Sequence, residues 1–510
     1  SYQFFKEDMP APQSICGNSI RAIYRDKIGN MWLCSHGGGI SLYSPISSSI
    51  TTYARSPYKN SVPGNIISCF EQDYQGNMYV GTDGAGFTKF NVQKQEFTNY
   101  SIKDGLASDA ILDIKEIKPG ILAIASWNGA LNIFNEKTGT FTKYTFKSSN
   151  SKTVSLNIYG LLYDSSTDLL WCSTFGDGIV VFDCKTYTFV PENKLKELYP
   201  EWNNSMFTSK ILFDTVDSSV WFIDGIVLGR YKNKTVHSFY QSDSTSECTD
   251  GMFCSDILQT KSGMIYIAGY SGFKYFDRNE NCIKNITFPH CNFSDAKSLL
   301  EDGKGNIWVA TPQALFRYDP KNKTVRNISQ VWGMPHIQYY RKSAFRTNDG
   351  HLYFGSLKGF IVLHEDSSYT YNITPSLHIT KLYINNIEQR PGMEGSPISK
   401  DITLLKELVL SHNQSFITIE FGVLNFIDNE KSLCKYKMLG FDRDWIYAGK
   451  ERRATYTNIP PGTYTFLVST TNSEGQWIET PHSLTIIILP PWWKTLWFKL
   501  IVILIIVFGV

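Results

Sequence analysis

Seven residues in short turns, most of them rich in glycine, have side chains suited to binding a sugar. They are His36, Asp83, Trp127, Asn128, Phe175, Asp177 and Tyr270. An aromatic ring stacks against the C–H face of a pyranose, while amide and carboxylate groups make directed hydrogen bonds with its hydroxyls. The pattern predicts a carbohydrate-binding surface, although each residue taken alone is better explained as an ordinary turn residue.

The most specific prediction concerns Trp127. The apolar positions around it are already filled by Ile121, Ile124 and Leu131, so the indole has no repeated packing role. We expect it to be exposed at the tip of a turn and to bind a sugar ring. The alternative is that it covers the mouth of a channel or contacts another domain.

Several kinds of catalytic and cofactor chemistry find no support in the sequence. It contains no phosphate-binding G-x-x-x-x-G-K-[ST] loop, no H-E-x-x-H and no C-x-x-C pair. Residues 277–282 begin like a calcium loop but have Cys282 where the sharp turn needs glycine. We therefore expect no catalytic residue, no metal ion and no cofactor.

Charge and composition favour a β-rich globular chain. Its 49 Lys and Arg nearly balance 47 Asp and Glu, leaving +2, which gives no field for attracting nucleic acid. The 37 glycines indicate many tight turns. Among the ten cysteines, Cys248 with Cys254, or Cys282 with Cys291, could close short disulfide loops in an oxidising compartment.

A repeated phrase determines the elements that carry the candidate residues. Eight copies begin near residues 20, 66, 111, 158, 208, 254, 296 and 340. Each copy reads as a strand, a tight turn of the D-x-x-G-N type, a second strand led in most copies by an aromatic residue, a Gly-rich turn and a third strand. A repeat of about 45 residues with four short strands is one propeller blade. The aromatic positions Trp32, Trp171, Trp221 and Trp308 are predicted to pack between adjacent blades.

The number of blades depends on how the ring closes. If residues 46–62 supply the last strand of the final blade, copies two to eight form seven blades. Residues 1–45 are then a blade remnant of a preceding propeller, and the propeller spans 46–366. The alternative is eight blades, with 1–45 as the first.

A second, different pattern follows the repeats. Segments 415–426, 463–470 and 483–489 alternate apolar and polar residues, which predicts an immunoglobulin-like β-sandwich over 370–490. Residues 500–510 are uncharged and follow three tryptophans, so 492–510 is predicted to start a transmembrane helix that the chain truncates. The predicted fold is all-β, ending in the start of this helix.

The repeats followed by residues 436–477 resemble the sensor region of bacterial hybrid two-component regulators. The second stretch is similar to their triple-tyrosine domain, through Tyr436, Tyr456 and Tyr464, with Trp445 and Trp477 also in place. The resemblance implies a chain with two seven-bladed propellers, a tyrosine-rich sandwich, a membrane helix and a cytoplasmic histidine kinase. Only the second propeller, the sandwich and the start of the helix would be present here.

Three functions remain open from the sequence. The first is a non-catalytic extracytoplasmic sensor that binds an oligosaccharide and relays the signal across the membrane to a histidine kinase outside this chain. We expect it to be a homodimer, anchored by its single C-terminal helix on the periplasmic face of the inner membrane. The second is a membrane-tethered polysaccharide lyase or glycoside hydrolase, and the third is an adhesion scaffold.

Overall fold

The computed structural model describes most of the chain. The described residues are 15–26, 29–43, 50–56, 60–146, 157–198, 207–225, 227–239, 248–249, 253–288, 291–331, 337–365, 375–424, 433–449, 451–471, 477–478, 480–494 and 496–508. The chain divides into two compact units, residues 1–367 and 368–510.

The first unit begins with a sheet of three antiparallel strands. They are β1 (Ile20–Arg25), β2 (Met31–Ser35) and β3 (Gly39–Tyr43). Ile23, Tyr24 and Ile40 are each more than 60% exposed, so neither face of this sheet is covered as a blade inside a ring would be.

Seven further sheets form a ring between residues 50 and 364. The strand that precedes the ring is β4 (Ile50–Tyr53). The first four blades comprise β5 (Ile67–Gln72), β6 (Met78–Thr82), β7 (Phe87–Asn91), β8 (Glu96–Tyr100), β9 (Ile111–Lys118), β10 (Ile121–Ser126), β11 (Leu131–Asn135), β12 (Thr140–Tyr144), β13 (Ile158–Asp164), β14 (Leu169–Thr174), β15 (Ile179–Asp183), β16 (Thr188–Phe189), β17 (Thr208–Phe213), β18 (Val220–Asp224), β19 (Val227–Lys232) and β20 (Thr235–Ser238).

The last three blades complete the ring. They comprise β21 (Cys248–Thr249), β22 (Cys254–Gln259), β23 (Ile265–Gly269), β24 (Gly272–Asp277), β25 (Cys282–Asn285), β26 (Ser298–Glu301), β27 (Ile307–Ala310), β28 (Leu315–Asp319), β29 (Thr324–Asn327), β30 (Tyr339–Arg346), β31 (His351–Ser356) and β32 (Gly359–His364). The first strands of successive blades lie side by side, and β30 also lies beside β5.

The ring closes with a strand from the beginning of the propeller. β4 pairs antiparallel with β32, placing Tyr53 opposite Phe360 and Ile50 opposite Leu363. The ring of Tyr53 stacks on that of Phe360, with centres 4.8 Å apart, and meets Phe90 of the first blade at 4.9 Å. This arrangement gives seven blades, and the sheet β1–β3 stands outside the ring.

The D-x-x-G-N turns link each hairpin to the inter-blade core. Asp302 Oδ1 accepts hydrogen bonds from the backbone N–H groups of Lys304 and Asn306, each at 2.9 Å, while Gly305 adopts a φ of 82°. Asp302 Oδ2 accepts the indole N–H of Trp308 at 3.0 Å. A single carboxylate therefore fixes both the turn and the following tryptophan.

The predicted inter-blade tryptophans are confirmed for three blades. Trp221 is fully buried against Phe276 of the next blade, with ring centres 4.8 Å apart. Trp171 packs edge-on against Phe213 at 5.3 Å, and Trp308 lies 6.0 Å from Phe354. The fourth of these tryptophans, at position 32, belongs to the separate sheet and donates to Asp26.

The second unit is a sandwich of two sheets. One has the order β34-β33-β36-β39 and the other β35-β41-β40-β37-β38. These strands are β33 (Ser376–Ile384), β34 (Ile387–Glu388), β35 (Glu407–Leu410), β36 (Ile417–Leu424), β37 (Cys434–Leu439), β38 (Ile446–Gly449), β39 (Arg453–Tyr456), β40 (Gly462–Thr470) and β41 (His482–Ile488). Alternate residues of both sheets fill one core, as the sequence pattern predicts, and the predicted all-β class is confirmed.

Three α-helices complete the described structure. They are α1 (Glu192–Leu198), α2 (Ile328–Val331) and α3 (Leu496–Phe508), and 3₁₀ turns occur at Ile102–Asp104, Ile402–Leu404 and Trp492–Lys494. Helix α3 lies where the membrane helix is predicted. Within the described ranges, no helix has both the length and the apolar character needed to cross a membrane.

The cysteines adopt neither of the two short pairings considered from the sequence. Cys282 is disulfide-bonded. Cys254 and Cys291 remain as thiols. Cys282 lies at the start of β25, which pairs with β24 on one side and with β21 on the other.

Candidate functional site

The structure brings four of the seven candidate positions together on one face of the ring. Trp127 and Asn128 lie in the turn between β10 and β11, and Phe175 and Asp177 lie in the turn between β14 and β15. The rings of Trp127 and Phe175 have centres 5.5 Å apart. The turns of successive blades therefore form a continuous surface, as expected for connections between second and third strands of a propeller.

Two further aromatic residues extend this contact into a wall. Tyr159 meets Trp127 edge-on at 5.7 Å and Phe175 at 6.1 Å. Phe207 packs on Phe175 at 4.4 Å. We call Trp127, Tyr159, Phe175 and Phe207 the aromatic wall; its residues come from three successive blades.

Trp127 is less exposed than the sequence predicts. It is half-buried, because Tyr159 and Phe175 cover part of the indole. The most exposed rings of the wall are Phe175, at 45%, and Phe207, at 41%. Sequence reasoning missed Tyr159 and Phe207 because they lie at or next to first strands, where aromatic residues usually indicate core packing.

A polar contact joins the first and last blades of the ring. Asp83 Oδ2 accepts the hydroxyl of Tyr340 at 3.0 Å. Burial first, and then the negative charge of Asp83, raise the pKa of Tyr340, so this phenol is neutral and donates. The contact places an exposed carboxylate from the first blade beside a tyrosine of the last.

The other two polar candidates lie in the turns that carry the wall. Asn128, with a φ of 53°, donates its backbone N–H to Asn157 Oδ1 at 2.7 Å, which holds the turn in shape. Asp177 donates its backbone N–H to Thr174 Oγ1 at 3.1 Å. Partial burial, and then the negative charge of Glu192, raise the pKa of the Asp177 carboxyl. Asn128 is exposed, and Asp177 is half-buried.

Two of the predicted residues lie apart from the wall. Tyr270 is 69% exposed and contacts Phe253 at 6.3 Å in the fifth blade. His36 lies in the sheet β1–β3, outside the ring, and donates its backbone N–H to Ser19 O at 2.8 Å. In the described parts of the chain, no ring contact or hydrogen bond joins either residue to the wall.

Acidic side chains join the blades around the central channel. Asp113 Oδ2 accepts the backbone N–H of Leu161 in the next blade at 2.8 Å, and Asp256 Oδ2 accepts that of Leu299 at 2.9 Å. Glu71 makes the same kind of bond to the second blade. Burial raises the pKa of Asp113 and of Glu71, although both carboxylates accept hydrogen bonds that act in the opposite direction. These carboxylates are structural clamps.

A cavity of about 300 Å³ occupies the channel between these clamps. Its polar lining comes from the first strands of five blades. Besides Ser68 and Ser209, the polar residues are Glu71, Asp113, Lys115, Lys210, Gln259 and Lys342. Lys342 extends from the last blade to the opposite side, where its ammonium donates to Tyr159 O at 2.9 Å and Ser209 O at 2.7 Å. The channel is thus bridged directly beneath the aromatic wall.

The three tyrosines of the sandwich are core residues. Tyr456 and Tyr464 are buried, and the rings of Tyr436 and Tyr456 meet edge-on at 6.2 Å. The hydroxyl of Tyr456 donates to Asp442 Oδ2 at 2.7 Å, and that of Tyr464 donates to Pro460 O at 3.0 Å. Each ring therefore fills the core while its hydroxyl fixes a neighbouring loop.

Models of two protein families match the two kinds of domain. The two-component regulator propeller model matches residues 14–37 and 61–84, and the Y_Y_Y domain model matches 425–489. The chain carries two-component regulator propeller repeats and a Y_Y_Y domain. The first propeller match lies in the separate sheet β1–β3, and the second lies in the first blade of the ring.

The similar proteins share low sequence identity with this chain. Histidine kinase P4 of Formosa agariphila is 24% identical over 422 residues, covering 79% of this chain and 29% of the relative. The extracellular domain of a hybrid two-component system from B. thetaiotaomicron is 22% identical, with a TM-score of 0.74, covering 96% of this chain and 64% of that one. A second such domain from the same organism has 23% identity and a TM-score of 0.51, covering 96% and 66%. The chain therefore spans less than a third of the curated relative.

Proposed function

We propose that this chain is the extracytoplasmic sensor of a hybrid two-component system and that it binds an oligosaccharide at the aromatic wall. The observation that carries the proposal is the wall itself. Four rings from three blades form one surface, and two of them remain more than 40% exposed. Contiguous exposed aromatic surface in a folded domain marks a binding site.

The chemistry of the wall suits a carbohydrate. Phe175 and Phe207 offer flat faces for the apolar side of a pyranose, while Asp83, Asp177 and Asn128 supply acceptors and donors for its hydroxyls. A glycan crossing the wall would contact three blades at once. Binding would then favour one relative arrangement of these blades.

The route of the signal follows from the chain order. Tyr340 and Lys342 belong to β30 of the last blade and contact groups on the first, third and fourth blades. The Y_Y_Y domain follows the last blade in sequence and leads to α3. A ligand that favours one arrangement by about 1–3 kcal/mol would be enough to change the output. We propose that the chain acts as a homodimer, in which paired Y_Y_Y domains change the spacing of two membrane helices.

The proposed location is the periplasmic face of the inner membrane, with attachment through the segment that contains α3. The disulfide of Cys282 supports an oxidising compartment. Trp492 and Trp493, just before α3, and Trp497, in its first turn, are exposed, which supports an interfacial position for this segment.

The test is a binding screen of the whole chain in detergent micelles against a glycan panel, with the recovered glycans examined for cleavage. We expect saturable binding of one glycan class and recovery of the glycan intact. Release of shortened or unsaturated products would instead indicate a tethered hydrolase or lyase. Failure to bind any glycan would contradict the proposal.

A further inference from the structure

Lys342 has an unusual backbone conformation for a strand residue. The pairing of β30 with β31 shifts register between Tyr339 and Ala344, and within this bulge Lys342 has a φ of 56°. A lysine in the left-handed region is strained, and such strain concentrates at functional sites. The bulge directs the side chain across the channel to the third and fourth blades.

Among the three lysines that line the cavity, Lys342 has a distinct environment. Lys115 forms an ion pair with Glu71 at 2.9 Å, and Lys210 forms one with Asp256. Lys342, in contrast, donates to two neutral carbonyl groups, and no described carboxylate lies within ion-pair distance of it. Its charge is therefore not neutralised by a direct partner.

The nearby carboxylates are already engaged. Both oxygens of Asp113 accept backbone N–H groups, and Asp256 accepts Lys210 together with two backbone N–H groups. An ammonium group has three N–H donors, and two of those on Lys342 go to Tyr159 and Ser209. In the described part of the chain, no hydrogen bond uses the third.

This donor adjoins the aromatic wall. Lys342 Nζ lies 5.5 Å from the ring centre of Tyr159, which in turn contacts Trp127. A sugar ring on the wall therefore has a cation next to it at the channel mouth. A carboxylate is the sugar substituent that gains most from an ammonium donor without a charged partner.

We propose that Lys342 recognises a carboxylate of the bound glycan, so that the site prefers an oligosaccharide containing a uronic acid. This inference rests on the proposed function, because it assumes that a glycan occupies the aromatic wall. Lys342 would form one charged hydrogen bond, while the wall would bind the sugar rings themselves.

The test compares uronic acid oligosaccharides with their carboxyl-reduced derivatives, in which each carboxylate becomes a neutral hydroxymethyl group. The panel contains galacturonate, glucuronate and mannuronate oligomers, and binding to the wild-type chain is measured by calorimetry. We expect carboxyl reduction of the best ligand to weaken binding about 10-fold or more, the change expected from losing one charged hydrogen bond. This comparison does not depend on the folding of any variant.

The variant Lys342→Met locates the effect. In this variant we expect the preference for the uronic acid oligosaccharide over its reduced derivative to disappear, so that the two glycans bind with nearly equal affinity. Lys321→Met is the matched control, since Lys321 is exposed in the turn between β28 and β29, at the opposite end of its blade. It removes the same charge and should keep the full preference.

The possible failures are distinguishable. Equal binding of acidic and reduced glycans, or a preference that survives in Lys342→Met, overturns this inference and leaves the proposed function standing. If the chain binds only neutral glycans tightly, this inference is likewise overturned and the proposed function stands. Absence of binding by every glycan removes the proposed function and this inference together.

Discussion

The indole N–H of Trp308 donates to Asp302 Oδ2 at 3.0 Å, so the residue that shapes a blade's turn also orients the ring that packs against the next blade. The same bond joins Trp221 to Asp214 at 3.3 Å. Local turn chemistry and inter-blade packing thus depend on one carboxylate.

Replacing Trp308 with alanine should destabilise the propeller strongly. Trp308 is fully buried, and removing its ring leaves a cavity and takes away one of the two hydrogen bonds that Asp302 Oδ2 accepts. The expected loss is about 3–5 kcal/mol of unfolding free energy. Chemical denaturation measures it. Unchanged stability combined with lost ligand binding would show that Trp308 is a binding residue instead.

The repeat made the blades predictable because its turn residues are required locally. Asp302, Gly305 and Asn306 each satisfy a specific backbone need, and the spacing of such turns predicts the strands between them. The closure of the ring by residues 50–53 was also predictable, because without this strand β32 would be left as an exposed edge.

The site was only partly predictable because its residues come together through the ring rather than through the repeat. Trp127 and Phe175 occupy corresponding turns, and their position in adjacent blades follows from the repeat. Tyr159 and Lys342 occupy first strands, and the contact between them joins residues 183 positions apart. His36 occupies a corresponding turn, but its sheet lies outside the ring. The repeat alone does not distinguish a copy that belongs to the ring from one that lies outside it.

The variant Tyr456→Phe should affect the Y_Y_Y domain without changing the propeller. It removes the hydroxyl that donates to Asp442 at 2.7 Å while keeping the buried ring. We expect a loss of about 1–2 kcal/mol in the stability of the sandwich. Differential scanning calorimetry should show a lower transition for one domain together with unchanged glycan affinity. Loss of affinity with no change in either transition would place a binding role in this domain.

Lys342 should make the unfolding free energy of the protein depend on pH in the alkaline range. Burial lowers its pKa to about 8, although Asp113 and Asp256 counteract this and Lys210 and Arg341 add to it. In the unfolded chain the pKa is near 10.5. The folded state then holds fewer protons between these values, so the contribution of Lys342 to stability rises as the pH increases from 8 to 10.5.

This contribution is measured as a difference between two proteins. We subtract the unfolding free energy of Lys342→Met from that of the wild type. This difference should increase between pH 7.5 and 10, about the range over which Lys342 titrates. Subtraction removes the titration of groups that both proteins share. A difference that stays constant or decreases over this range would contradict the assignment of a lowered pKa to Lys342.

Calorimetry on Trp127→Ala with the glycan found in the binding screen tests the central claim most directly. The matched control is Tyr74→Ala, since Tyr74 is 59% exposed in the turn between β5 and β6, at the opposite end of its blade. Trp127→Ala should weaken binding by about 1–3 kcal/mol while the control binds like the wild type. Because Trp127 is only half-buried, the melting transition of Trp127→Ala should stay close to that of the control. Unchanged affinity in Trp127→Ala would contradict glycan binding at the aromatic wall.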